Sequence, residues 1–207
     1  GFIGHNLALG LRKNKIPVMI FDNLMVNSLI SQLYSADKNS IQSKLYMDFI
    51  LARFNKLTSA GVNLYNGDAR NFNELNKAIH QFEPTRVIHL AAIASAVEAK
   101  KNPGLSFELQ LNTLQPLLEF CRLKPDLIKQ LILLSSSTVY GDFETPTVDE
   151  STRPRPRGIY ANTKYMAERL VRTYCSQYGL NTTIIRPSAL YGERCVSRRV
   201  SQVFIEN

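Results

Sequence analysis

Short apolar runs alternate along the chain with longer stretches in which apolar residues recur every three or four positions. Residues 16–21, 61–65, 86–90, 130–135 and 182–186 predict strands. Residues 6–14, 71–81, 105–123 and 160–178 predict amphipathic helices. The strand runs show little alternation, so burial on both faces is expected, with parallel strands joined by crossover helices. That pattern is a doubly wound α/β domain with a parallel sheet. The stretch 23–60 is long for a crossover and carries helical spacing over 45–57, which predicts an inserted helical loop. Pro146, Pro154 and Pro156 make 145–158 a loop, because proline fixes φ and lacks a donor.

The ends shape the expectation as well. Gly1 stands where a glycine-rich turn is already under way with no strand before it, and 203–207 stops inside an apparent helix. A fragment truncated at both ends is expected, and a parallel sheet without its central first strand leaves backbone groups exposed on both neighbours.

The 207 residues are 44% hydrophobic and 20% charged, which excludes collagen-like and wholly disordered chains. No apolar run reaches the roughly 20 residues that cross a bilayer, so no membrane association is expected. Lys and Arg number 25 against 17 Asp and Glu, a surplus of 8. The surplus is scattered apart from Arg153, Arg155 and Arg157 and then Arg194, Arg198 and Arg199. Neither an RNA-binding aromatic motif nor a zinc finger accompanies it, so small anionic ligands are favoured over nucleic acid. Cys121, Cys175 and Cys195 are odd in number and far apart; neither a disulfide framework nor a metal site is indicated, and a reducing cytoplasm fits.

Gly1-Phe2-Ile3-Gly4 opens a helix. Glycines there let backbone approach a pyrophosphate, and the free N–H groups and dipole of the helix start hold its charge. GxxG also serves ordinary packing. Asp22 ends the following strand, with Asn23 next to it, where an acid bonds the ribose hydroxyls of an adenosine and repels a 2′-phosphate, favouring NAD over NADP. The alternative for Asp22-Asn23 is a plain turn. Asp68, with Ala69 beside it, could accept from the adenine amino group or cap the next helix. Leu90, Ala91 and Ala92 end the next strand, where small side chains let a flat cofactor pass or simply pack tightly.

Tyr160-Ala-Asn-Thr-Lys164 places a phenol and an ammonium one helical turn apart on one face. Phenol titrates near about 10 in isolation, and a neighbouring cation favours phenolate, which makes Tyr160 a usable base. The bland alternative is a solvated helix face. Ser135-Ser136-Ser137-Thr138 follows a strand, and hydroxyls at the carboxyl edge of a parallel sheet point into the cleft where ligands bind; elsewhere such a cluster is a turn or cap.

As an ordered set, Gly1 to Gly4, Asp22-Asn23, Gly67-Asp68, His89 to Ala92, Asn112, Ser135 to Gly141, Tyr160 to Lys164 and Arg186 to Gly192 resemble the extended short-chain dehydrogenase/reductase family, in its NAD-dependent sugar-nucleotide epimerase/dehydratase branch. The resemblance implies a Rossmann fold over 1–192, with 193–207 opening a substrate-binding lobe. It implies Ser136, Tyr160 and Lys164 as catalytic residues. Tyr160 would be the acid/base; Lys164 would bind the nicotinamide ribose and lower the tyrosine pKa. Asn112 would support the site from its helix, and Pro187 and Ser188 would lie beside the nicotinamide. It further implies NAD as cofactor, a nucleoside-diphosphate sugar as substrate and a homodimer built on helices 105–123 and 160–178.

Ser137 and Thr138 stand where the family's dehydratases usually carry acidic residues, and this favours 4-epimerisation of a UDP-hexose or UDP-uronate through a 4-keto intermediate. A 4,6-dehydratase, a 4-keto reductase or a non-catalytic NAD-binding protein are the alternatives. Ser136, Ser137 and Thr138 are expected to meet the sugar. Ala189 replaces an Asn frequent in the family, leaving Arg194, Arg198 and Arg199 as candidates for the diphosphate or as a solvated basic turn.

Overall fold

The computed structural model describes residues 1–25, 28–34 and 40–195, and its contacts divide the chain into two compact units. The expected helix at 203–207 and Arg198 and Arg199 lie outside the described residues. The first unit comprises Gly1–Asn66 and the segment from Ala189. Its elements are α1 (Phe2–Lys13), β1 (Met19–Asp22), α2 (Leu29–Leu33), α3 (Ile41–Ser59) and β2 (Asn63–Asn66). β1 and β2 pair in parallel, Met19 opposite Asn63 through Asp22 opposite Asn66. Ala8, Leu57 and Val62 form a buried cluster flanked by Leu9, Val18 and Ile20. Ser40 caps α3 by accepting from the Ser43 N–H at 3.1 Å. The inserted helical loop is therefore real, and its main helix runs longer than its spacing predicts because this cap starts it at Ile41.

The second unit, Gly67–Ser188, holds α4 (Phe72–Phe82), β3 (Arg86–His89), α5 (Ala96–Lys101), α6 (Pro103–Phe107), α7 (Gln115–Leu123), β4 (Gln130–Leu134), α8 (Gly158–Tyr178) and β5 (Thr182–Ile185). The three strands are parallel in the order β3-β4-β5. Parallel strands with flanking helices are the expected α/β arrangement, in two separate sheets. Burial on both faces is not what the strands show. Leu64 in β2 and Ile185 in β5 remain 41% and 44% exposed, and each belongs to a strand at the edge of its sheet. In β4, the middle strand, Leu131 and Leu133 are 1% exposed.

The single helix expected over 105–123 is broken. A π-helical turn spans Glu108–Asn112, and α7 starts afresh with Pro116 in its first turn. Pro116 has no N–H to give the Asn112 carbonyl and its ring crowds that group, so a continuous α-helix cannot pass. Two short helices, α5 and α6, precede it. Ser95 caps α5, and Pro103 opens α6, where its missing donor costs nothing.

After β4 a 3₁₀ turn, Ser137–Tyr140, leads to Gly141 at φ 72°. The long proline-rich loop that follows returns to dock on it through Arg155 N–H to Val139 carbonyl, 3.0 Å. In the same loop Arg155 pairs with Glu144 and Arg157 with Asp142, so two members of the basic cluster are neutralised at the surface. A Cβ on Gly141 would stand 2.1 Å from the Arg155 carbonyl oxygen. Gly141→Ala is therefore expected to cost about 3 kcal/mol. Gly158→Ala, at φ 76° with open space around it, is expected to cost about 1 kcal/mol for the left-handed backbone alone. Urea unfolding of the two variants of the complete protein measures the contrast.

Candidate active site

α8 carries Tyr160, Lys164 and Glu168 at successive turns, so all three share one face. The Lys164 side chain is buried and its Nζ donates to the Leu134 carbonyl at 3.0 Å, at the carboxyl end of β4. The ammonium stands 6.0 Å from the centre of the Tyr160 ring. That ring packs beside the buried cluster of Ile93, Ala99 and Leu109. Burial pushes the Lys164 ammonium down to about 8, and the Glu168 carboxylate opposes the fall. The lysine thus remains cationic at neutral pH.

Ser136 lies two residues past Leu134. It caps the 3₁₀ turn, its Oγ accepting from the Thr138 N–H at 3.2 Å and the Thr138 hydroxyl at 2.9 Å. The turn is pinned to the end of β5 by the Ser137 N–H donating to the Pro187 carbonyl at 2.9 Å. Ser137 is half-buried, while Thr138 and Ser188 are exposed. The end of β4 therefore gathers Ser136, Lys164 and, through the lysine, Tyr160. It also brings Pro187 to the same turn.

Beneath these residues is a buried network that sequence reasoning missed. Glu168 is fully buried; its Oε1 accepts from the Ser135 hydroxyl at 2.6 Å and Arg186 Nε at 2.9 Å, and its Oε2 accepts from Arg186 Nη2 at 2.6 Å. Arg186 Nη1 donates to the Tyr140 hydroxyl at 3.0 Å, and its guanidinium lies 4.9 Å from that ring's centre. The carboxylate and the phenol hold Arg186 protonated. The available signal was an acid one turn beyond the lysine, on the face that carries Tyr160 and Lys164. His89, at the end of β3, is also buried. It shares a 3.1 Å hydrogen bond with the Thr113 hydroxyl, and burial pushes its imidazole down to about 4, leaving it neutral.

Asp68 does not cap α4; Asn71 does. The Asp68 carboxylate instead accepts from the Arg70 backbone N–H at 2.9 Å and from its guanidinium, with Nη2 at 2.6 Å, while Arg70 Nη1 bridges to Glu108 at 2.9 Å. Ala69 is half-buried beside this pair. Leu90 and Ala92 are half-buried and Ala91 exposed after β3, and Asn112 is exposed at the end of the π-helical turn.

In the first unit, Gly1 sits at the cap position of α1, and Phe2, Ile3 and Gly4 form its first turn, which has neither a side-chain cap nor an acidic residue. Asp22, at the end of β1, lies with Oδ2 3.8 Å from the Gly1 nitrogen. Its Oδ1 accepts from the Leu24 N–H at 2.8 Å, and Asn23 Oδ1 accepts from the Met25 N–H at 3.1 Å, so both residues also build a turn. Arg194 is not part of a solvated turn. It donates to His5 Nε2 at 3.1 Å and to Asn6 Oδ1 at 3.0 Å on α1, and pairs with Glu193 at 2.6 Å. Its side chain is only 13% exposed, because α1 presents two acceptors one residue apart. A cavity of about 470 Å³ opens there, lined by Phe2, Ile3 and Asn6 of α1 and by Tyr191, Gly192 and Arg194.

Comparison with known proteins gives these geometries a context. The model of a family described as the NAD dependent epimerase/dehydratase family matches residues 1–207. UDP-glucuronate 4-epimerase 1 of Arabidopsis thaliana is 32% identical over 93% of this chain and 41% of that protein. CDP-paratose 2-epimerase of Salmonella typhi is 28% identical over 94% of this chain and 56% of that protein. The crystal structure of UDP-glucuronic acid 4-epimerase from Bacillus cereus in complex with NAD shares 25% identity at a TM-score of 0.72, covering 94% of this chain and 56% of that one. The chain spans about half the length of the curated relatives it matches. Among the described residues, no helix is long and apolar enough to cross a membrane.

Proposed function

This chain belongs to the NAD dependent epimerase/dehydratase family, and from that premise we propose that the complete protein epimerises a nucleoside-diphosphate sugar at C4, of the UDP-hexose or UDP-uronate type. The observation that carries the reading is the buried Lys164 ammonium, held by the Leu134 carbonyl beside the Tyr160 ring at the strand end from which Ser136 emerges. Relatives named as epimerases of UDP-glucuronate and CDP-paratose support the substrate class.

The residues present fit a dinucleotide. The first turn of α1 has N–H groups with no intrahelical acceptor and no acid to repel phosphate, and Gly1 at its cap has nothing within 4 Å of its missing Cβ. Asp22 stands close to that turn. Gly1, Phe2, Ile3 and Gly4 would hold the pyrophosphate and Asp22 with Asn23 the ribose. Asp68 and Ala69 would meet the adenine; Leu90, Ala91, Ala92, Pro187 and Ser188 would flank the rest. NAD, when bound, supplies reversible hydride acceptance from C4, which generates a 4-keto sugar that can be reduced from its other face.

The chain's own residues handle protons and orientation. Tyr160 takes the proton of the 4-hydroxyl and returns it, Ser136 hydrogen-bonds the sugar oxygen and relays that proton, and Lys164 keeps the phenol acidic by its charge. Arg194, joined to His5 and Asn6 of α1, is the candidate to meet the substrate diphosphate, and residues from 193 onward open the substrate lobe. We take the assembly to be a homodimer and the compartment to be the cytoplasm.

The test is incubation of the complete protein with UDP-glucose, UDP-glucuronate and a CDP-hexose, with products separated by chromatography. The expected result is a C4 epimer with NAD regenerated. A stable 4-keto or dehydrated product, inversion at C2, or no conversion of any substrate overturns the reading.

A further inference from the structure

We propose that Glu168 is a positioning residue for the Tyr160–Lys164 pair: its buried carboxylate locks α8 to the carboxyl ends of β4 and β5 and supplies the negative charge that faces Lys164. The proposal rests on the reading of Tyr160 and Lys164 given above.

Two adjacent residues at the end of β4 grip two residues one turn apart on α8. The Leu134 carbonyl takes Lys164 at 3.0 Å, and the Ser135 hydroxyl takes Glu168 at 2.6 Å. Two such points fix both the rotation and the axial position of the helix against the strand. Tyr160, one turn before Lys164, is carried by the same grip. On its far side Glu168 binds Arg186, just past the end of β5, at 2.9 and 2.6 Å. Arg186 continues to Tyr140, the last residue of the turn that Ser136 caps. One carboxylate thus connects the element bearing Tyr160 and Lys164 with the turn bearing Ser136.

Stability alone is a weak reason for such an arrangement. A buried ion pair recovers little more than its desolvation cost, and apolar replacements of similar volume are often as stable or more so. A charge does matter to Lys164. The ionisable groups about that ammonium are Tyr160 and Glu168 on its own helix and His89 on β3, with Arg186 behind Glu168. His89 is neutral and Arg186 positive, so Glu168 is the group that favours the cation. Removing its charge leaves Arg186 uncompensated nearby, and Lys164 then loses its proton more readily.

The test uses the complete protein with lysine ¹³C-labelled at Cε, the Lys164 signal being assigned by its loss in Lys164→Arg. Glu168→Gln, which keeps the shape, is expected to lower the Lys164 midpoint by about one pH unit or more. It is also expected to lower kcat about 10- to 100-fold while KM and NAD affinity stay within about threefold, and to shift the alkaline limb of the pH profile in the acid direction. Glu168→Asp should restore the midpoint with only part of kcat. A purely structural role would move neither midpoint nor pH profile, and an unmoved midpoint in folded Glu168→Gln overturns the proposal. Should Glu168→Gln not fold, Ser135→Ala decides: a kcat lowered about fivefold or more at constant KM supports the grip, and an unchanged kcat overturns it. A wild-type protein that converts no sugar nucleotide refutes the proposed reaction, while the Lys164 midpoint still judges Glu168.

Discussion

Replacement of Tyr160 by phenylalanine is expected to lower turnover of a nucleoside-diphosphate sugar about a thousandfold or more, with NAD still bound and the fold intact. The ring that phenylalanine retains is the part packed beside Ile93, Ala99 and Leu109, so the apolar contacts persist. Lys164 keeps its bond to the Leu134 carbonyl, since that bond involves no atom of Tyr160. What disappears is the oxygen that takes and returns the proton, and positioned proton transfer contributes typically about 10²–10⁴ in rate. The measurement is kcat of the complete protein with each sugar nucleotide that the wild type converts, alongside NAD binding followed by thermal shift. Turnover within tenfold of wild type in a folded, NAD-binding variant would remove Tyr160 from its role. Loss of NAD binding together with turnover would instead make Tyr160 a binding residue.

The alternation of apolar runs and helical spacing was enough to find all five described strands, because each is a local signal of four or five consecutive residues. The Tyr160–Lys164 pair was legible for the same reason: two residues one turn apart on one helix. What escaped was non-local. Glu168 reads as an ordinary helix residue until Ser135 and Arg186, distant in sequence, are brought to it. Arg194 reads as part of a basic turn until α1 offers His5 and Asn6. The break after Glu108 carried a local warning in Pro116, which helical periodicity alone passes over. The exposure of Leu64 and Ile185 reflects their place at sheet edges, a property of strand order that no single run of residues encodes.

Lys164→Met should give two opposed results, a protein more stable at neutral pH and one that turns over at least about 100-fold more slowly. The activity loss follows from removing the cation beside the phenol. The stability gain follows from linkage. Burial lowers the Lys164 ammonium from its ordinary 10.5 to about 8 in the folded state, and each unit represents about 1.4 kcal/mol, so the charged side chain opposes folding by about 3 kcal/mol. Below pH 8 both folded and unfolded states hold the proton, and that penalty is present in full. Between pH 8 and 10.5 the unfolded chain binds the proton that the folded protein has released, so wild-type stability climbs with pH and the penalty fades. Above 10.5 it is gone. Methionine also forfeits the hydrogen bond to Leu134, a loss of about 1 kcal/mol. The variant should therefore exceed the wild type by about 2 kcal/mol at pH 7 and fall about 1 kcal/mol below it above pH 10.5. Urea unfolding of both proteins at a series of pH values reads the crossing directly. A variant less stable at pH 7 by an amount that does not change with pH would mean that Lys164 is an ordinary packing residue, and the cationic partner assigned to Tyr160 would have to be sought elsewhere.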